Sequence, residues 1–162
     1  PRPFGAFSIS RKEKIMTSLL KNVKVTPVAA AAAAAQTEVL TSVLDMSGYD
    51  GVMFIALLGD VTTASVLTLT AKGNTASSTS SPTPVTQVAT AAFTADGTSA
   101  DDKALVVDVY DPMLRYVFAS LTRTEANAVV NGIIAIQYKA EFRPTAQAAT
   151  VIAAAMGPGV AA

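Results

Sequence analysis

Four aspartates fall within a short stretch of the chain, Asp101, Asp102, Asp108 and Asp111, and carboxylates at that density have the chemistry to hold a hard cation such as calcium. Their spacing is not that of a helix-loop-helix calcium site. Asp108 falls on the outward face of a strand pattern and Asp101 and Asp102 flank a turn, so no metal is predicted. Asp45 and Asp50 bracket Gly48, a spacing that suits side-chain to backbone hydrogen bonds within a turn. Two acids about 5 to 10 Å apart would serve glycoside hydrolysis, but nothing in the chain selects a pair. With four Tyr, six Phe and no Trp, it is also poorly stocked with rings for sugar stacking.

The remaining chemistry is narrowed by composition. The chain has no His and no Cys, while 51% of its residues are hydrophobic. General acid-base work near neutral pH falls mostly to His, nucleophilic catalysis to Cys or a His-activated Ser, and tight transition-metal binding to Cys and His. The expectation is a protein that packs and binds, with no catalytic residue and no cofactor. No phosphate-cradling glycine motif and no basic patch interleaved with aromatics stands in the body of the chain, so no direct nucleic-acid partner is expected.

Charge is unevenly spread. The 162 residues carry twelve basic and twelve acidic side chains. Residues 1–24 hold six of the basic ones against Glu13 alone, a net of +5 that leaves the rest at −5. Residues 1–21 thus read as a basic arm. A second reading of residues 1–15 stands beside it: Arg11-Lys12-Glu13-Lys14-Ile15 can be encoded by purine-rich codons, as a ribosome-binding site is, which makes Met16 a candidate natural start. The uncharged runs are built from Ala, Thr, Ser and Gly, and none makes a credible membrane span; no membrane partner is expected. Lys21 and Lys24 interrupt any secretory-signal pattern.

Between these features the periodicity is that of short strands. Residues 22–26 alternate, and residues 38–44 form a second strand closed by the turn residues 45–51. Residues 52–58 are apolar throughout and predict a central strand covered on both faces. Residues 65–72 place Leu67, Leu69 and Ala71 on one face. The Ser/Thr/Pro-rich residues 73–84 predict a surface loop, after which residues 85–89 resume a strand. Leu105, Val107 and Val109 oppose Val106, Asp108 and Tyr110. Residues 116–122 and 128–142 complete the set, with Ile134, Ile136 and Tyr138 facing one way and Asn131-Gly132 read as a bulge. Ala29 to Ala35 reads as two helical turns or an extended arm, with little independent helix expected. The fold class predicted is all-β, an antiparallel, jelly-roll-like β-sandwich of about eight strands over residues 22–143, with an Ala-rich C-terminal arm at 144–162.

Two stretches, residues 44–55 with Gly48-Tyr49-Asp50 leading into a hydrophobic strand, and residues 107–117 with Arg115-Tyr116-Val117 continuing to 128–138, resemble small tailed-bacteriophage virion proteins. The resemblance covers roughly residues 37–142. It implies a capsid decoration or cement protein on the outer surface of a virion, bound to the major capsid protein. The basic leader and the long C-terminal arm depart from that pattern. The apolar excess predicts a homo-oligomer, a trimer or a dimer, with Tyr49, Val52, Phe54, Tyr110, Tyr116 and Tyr138 as candidate interface residues. The rival expectations are a head-tail joining or fibre-base protein, and a glycan or host-surface binding module with residues 73–84 as its tip.

Overall fold

The computed structural model describes residues 18–86 and 90–156. After a short 3-10 turn at Leu19–Lys21, strands β1 (Lys24–Ala29), β2 (Ala32–Ala35), β3 (Val39–Leu40), β4 (Leu44–Asp45), β5 (Tyr49–Val61) and β6 (Val66–Asn74) follow in order. They continue with β7 (Val85–Thr86), β8 (Ala91–Thr94), β9 (Ala104–Tyr110), β10 (Tyr116–Thr124) and β11 (Ala128–Ala140). All pairings are antiparallel. Sheet A has the order β1-β11-β5-β9, with β2 also on β11, and sheet B the order β3-β10-β6-β7, with β4 on β10 and β8 on β6. The molecule is an antiparallel β-sandwich, as the alternating pattern predicts.

The core lies between the sheets and is filled from one face of each strand. Val52, Phe54, Ala56 and Leu58 of β5 meet Leu67, Leu69 and Ala71 of β6 and Val117, Ala119 and Leu121 of β10. Ile133 and Ala135 of β11 and Val107 and Val109 of β9 complete it. The bulge expected at Asn131-Gly132 is present: the β11 register against β5 shifts between Val130 and Gly132, and Gly132 takes φ +141°. The three residues 125–127 turn the chain from β10 into β11, with Glu125 at φ 66°.

Among the described residues eleven strands stand where about eight were expected, and three local departures account for the difference. Between β3 and β4, the Thr41 hydroxyl accepts the Ala119 N–H at 2.8 Å while the Ser42 N–H turns across to Val28 O. A side chain there replaces a rung of the ladder. The alanine run is neither helix nor free arm: β2 lies on β11, continuing the line of β1 after a register shift past Pro27. Residues 85–89 are a strand only at β7, and residues 87–89 lie outside the described ones. β8 was not anticipated, because Ala91-Ala92-Phe93-Thr94 is too short and too small to show alternation. The basic leader to residue 17 and the tail from residue 157 also lie outside the described residues.

Candidate assembly surface

The outward side chains of sheet A follow directly from its register. One row across the sheet reads Val25, Ile136, Met53, Asp108, and the next Pro27, Ile134, Ile55, Val106. Leu57 and Ala104 extend the face on one side, and Tyr138, Gly51 and Tyr110 on the other. Neighbouring strands are about 4.8 Å apart, so these side chains touch one another and form a continuous apolar field. Leu57 is 39% exposed, Val106 48% and Tyr110 79%, with the isoleucines and Met53 half-buried. Those rows contain no Lys or Arg, and Asp108 is their one acid.

Gly51 shapes the edge of this field. The Tyr138 ring lies flat across the strand at Gly51, where a Cβ would stand 2.3 Å from Cζ. With no side chain in the way, the Tyr138 hydroxyl reaches over β5 and donates to Asp108 Oδ1 at 2.8 Å. Burial and that carboxylate push the phenol up to about 12. The lone acid on the face is thereby held by a neutral donor.

The sequence-derived interface residues separate into three groups. Val52 and Phe54 are 0% exposed and point into the core, so they cannot meet a partner; their odd-numbered neighbours Met53, Ile55 and Leu57 do the facing. The expectation that residues 52–58 are covered on both sides holds for one side only. β5 is central, between β11 and β9, yet among the described residues no second layer covers its outer face, where Met53 and Ile55 are half-buried and Leu57 is exposed. Tyr110 and Tyr138 belong to the outer field. Tyr49 is half-buried at the start of β5 against the core, where burial raises its pKa. Tyr116 lies at the start of β10, with the Arg115 guanidinium 5.2 Å from its ring centroid. The uncovered field was detectable in the grouping of Ile134, Ile136 and Tyr138, but alternation alone does not say which face of a wholly apolar strand is covered.

The outer face of sheet B is chemically different. Thr68, Thr70, Thr122 and Thr124 share that face with Lys72, Val66 and the exposed Leu40, and with Ser120 and Phe118, which are buried on it; Glu38 accepts a hydrogen bond from the Ser120 hydroxyl while pairing with Lys72 Nζ at 3.7 Å. Aspartates elsewhere do turn work. Asp45 accepts the Ser47 N–H and a two-pronged bond from Arg115, which together hold its carboxyl below the usual range. Asp101 accepts the Val61 N–H. Among the described residues no three acids stand close enough to hold a metal ion. The loop after β6 is pinned, the Asn74 amide donating to Ser78 O and Pro82 O. A cleft of about 270 Å³ lined by Lys21, Asn22, Arg143 and Pro144 is smaller than most small-molecule sites. Among the described residues no helix is long and apolar enough to cross a membrane.

Neither protein-family models nor curated proteins give a match to this chain.

Proposed function

We propose that this protein is a structural subunit of a bacteriophage virion, set on the outer surface of the head and bound to the major capsid protein through the outer face of sheet A. The observation that carries the reading is the contrast between the two outer faces. Sheet A presents Met53, Ile55, Leu57, Val106, Ile134 and Ile136, while sheet B presents four threonines and Lys72, with Leu40 and Val66 as its apolar members open to solvent. A subunit with one apolar and one hydroxyl-rich face is suited to lie on a protein shell with the second face toward water. Covering the exposed apolar area contributes roughly 25 cal/mol per Å².

The strand order supports the jelly-roll-like reading. With β1/β2, β3/β4 and β7/β8 taken as interrupted strands, the chain crosses repeatedly between the sheets and its last strand lies beside its first. Such an order is in keeping with two nested Greek keys. The resemblance of residues 44–55 and 107–117 to small virion proteins directs the choice of shell.

Cosedimentation with heads of the phage whose genome encodes the chain tests the proposal. Copies in proportion to the capsid lattice are expected, with binding abolished by Ile55→Asp or Ile136→Asp and unchanged by Thr70→Asp on sheet B. About a dozen copies per particle would instead indicate a head-tail joint. No binding, or binding indifferent to the sheet A variants, sinks the reading.

A further inference from the structure

The two edges of sheet A are treated in opposite ways. On β1, the outward main-chain groups belong to Val23, Val25 and Pro27. The Gln147 side chain occupies the first two, its Oε1 accepting the Val25 N–H at 2.9 Å and its Nε2 donating to Val23 O at 2.8 Å. Pro27 has no N–H to offer. The same amide nitrogen also donates to Leu20 O, and Thr145 holds Lys21 O, so the root of the C-terminal arm is tied along this edge. The edges of sheet B are broken into strands of two to four residues.

β9 has none of these protections. Bonds from Leu58 N–H to Lys103 O and from Asp111 N–H to Asp50 O show that its odd-numbered residues face β5. The N–H and C=O groups of Ala104, Val106, Asp108 and Tyr110 therefore point away from the sheet, and among the described residues nothing bonds to them. An unbroken seven-residue strand with a free edge is a template for another strand.

We propose that this edge pairs with β9 of a second copy, antiparallel about a two-fold axis at Val107, joining the two A sheets into one. The chain's own sequence selects the occupant and the register. With Val107 opposite Val107, all seven residues are paired: Ala104 faces Tyr110, Leu105 faces Val109 and Val106 faces Asp108. The outward groups meet outward groups, giving about eight main-chain hydrogen bonds. The small Ala104 lies beside the Tyr110 ring, which is 79% exposed in the single chain. Just beyond the strand, the exposed Lys103 comes opposite the exposed Asp111 at both ends, two opposite-charge pairs created by symmetry. Sliding one copy by two residues either sets Asp108 against Asp108 or parts Lys103 from Asp111 and shortens the ladder. The outer face of both A sheets stays free and on the same side, so this pairing is independent of capsid docking.

The full chain, studied by sedimentation equilibrium at about 100 µM, is expected at twice its 16.6 kDa mass. Val106→Pro removes an outward N–H while leaving the β5 ladder whole, and is expected to give a folded monomer. Lys103→Glu and Asp111→Lys should each weaken the dimer about tenfold, with the double variant recovering it. The chain is free of cysteine, so Ala104→Cys and Tyr110→Cys chains are expected to crosslink when mixed and not when separate. A monomer at that concentration overturns the proposal, as does a dimer unaffected by Val106→Pro or one in which either cysteine variant crosslinks to itself. Ile55→Asp is expected to leave the dimer intact, so capsid binding and pairing fail separately.

Discussion

A methyl group at position 51 would fall within the Tyr138 ring, so the contact between Tyr138 and Asp108 rests on the absence of a side chain one strand away. Gly51→Ala is expected to force the ring aside, break its hydrogen bond and cost about 2 kcal/mol in urea unfolding. The same contact sets an alkaline limit. The Tyr138 phenol ionises near 12 when folded and near 10 when unfolded. The stabilisation it provides is complete below about pH 10 and lost as pH rises toward 12. Absorbance titration should find one phenol near 12 in the wild type, and Tyr138→Phe should flatten the fall in stability across that window. At this scale the sequence was partly legible. Ile134, Ile136 and Tyr138 do share a face, whereas Val52 and Phe54 exchange roles with Met53 and Ile55. A run such as Val52-Met53-Phe54-Ile55 is apolar at every position and carries no mark of which side the second sheet will cover.

Among the elements, the alanine run shows how a distant residue decides local structure. Seven alanines favour helix over strand by intrinsic propensity, yet Ala32–Ala35 is extended. Arg123, 2% exposed on β10, donates from Nη1 to Ala33 O and Ala128 O and from Nε and Nη2 to Thr37 O and Oγ1. It fastens the segment to the end of the sandwich with carbonyl and hydroxyl acceptors in place of a carboxylate, and burial lowers its pKa. Arg123→Leu strands those acceptors and is expected to cost about 3 kcal/mol, with proteolysis of residues 30–38 accelerating before global unfolding. No local signal announces this, since Arg123 sits ninety residues from Ala33. The bulge at Asn131-Gly132 was legible because its cause lies in the residues themselves. The break at Thr41 was not, because it depends on the Ala119 N–H of another strand.

The whole molecule has two unlike faces and two unlike edges. The all-β class and the sandwich were readable from alternation; the uncovered side of sheet A and the arm's grip on β1 emerge only when strands are placed side by side. Gln147 gave no sign in the sequence of being anything but a polar residue in an alanine-rich tail. Deleting residues 145–162 should leave the core intact, since the strands end at Ala140, while exposing the groups of Val23 and Val25. The expected outcome is a shift in light scattering from a discrete species to a broad, concentration-dependent distribution.

That outcome follows from counting open edges. With β1 plugged by Gln147 and β9 unpaired on its outer edge among the described residues, the proposed pairing gives each chain an association valence of one along sheet A, and growth terminates after a single joining event. Freeing β1 raises the valence to two, the minimum for a linear polymer. A single glutamine amide then sets the boundary between a finite particle and an indefinitely growing ribbon.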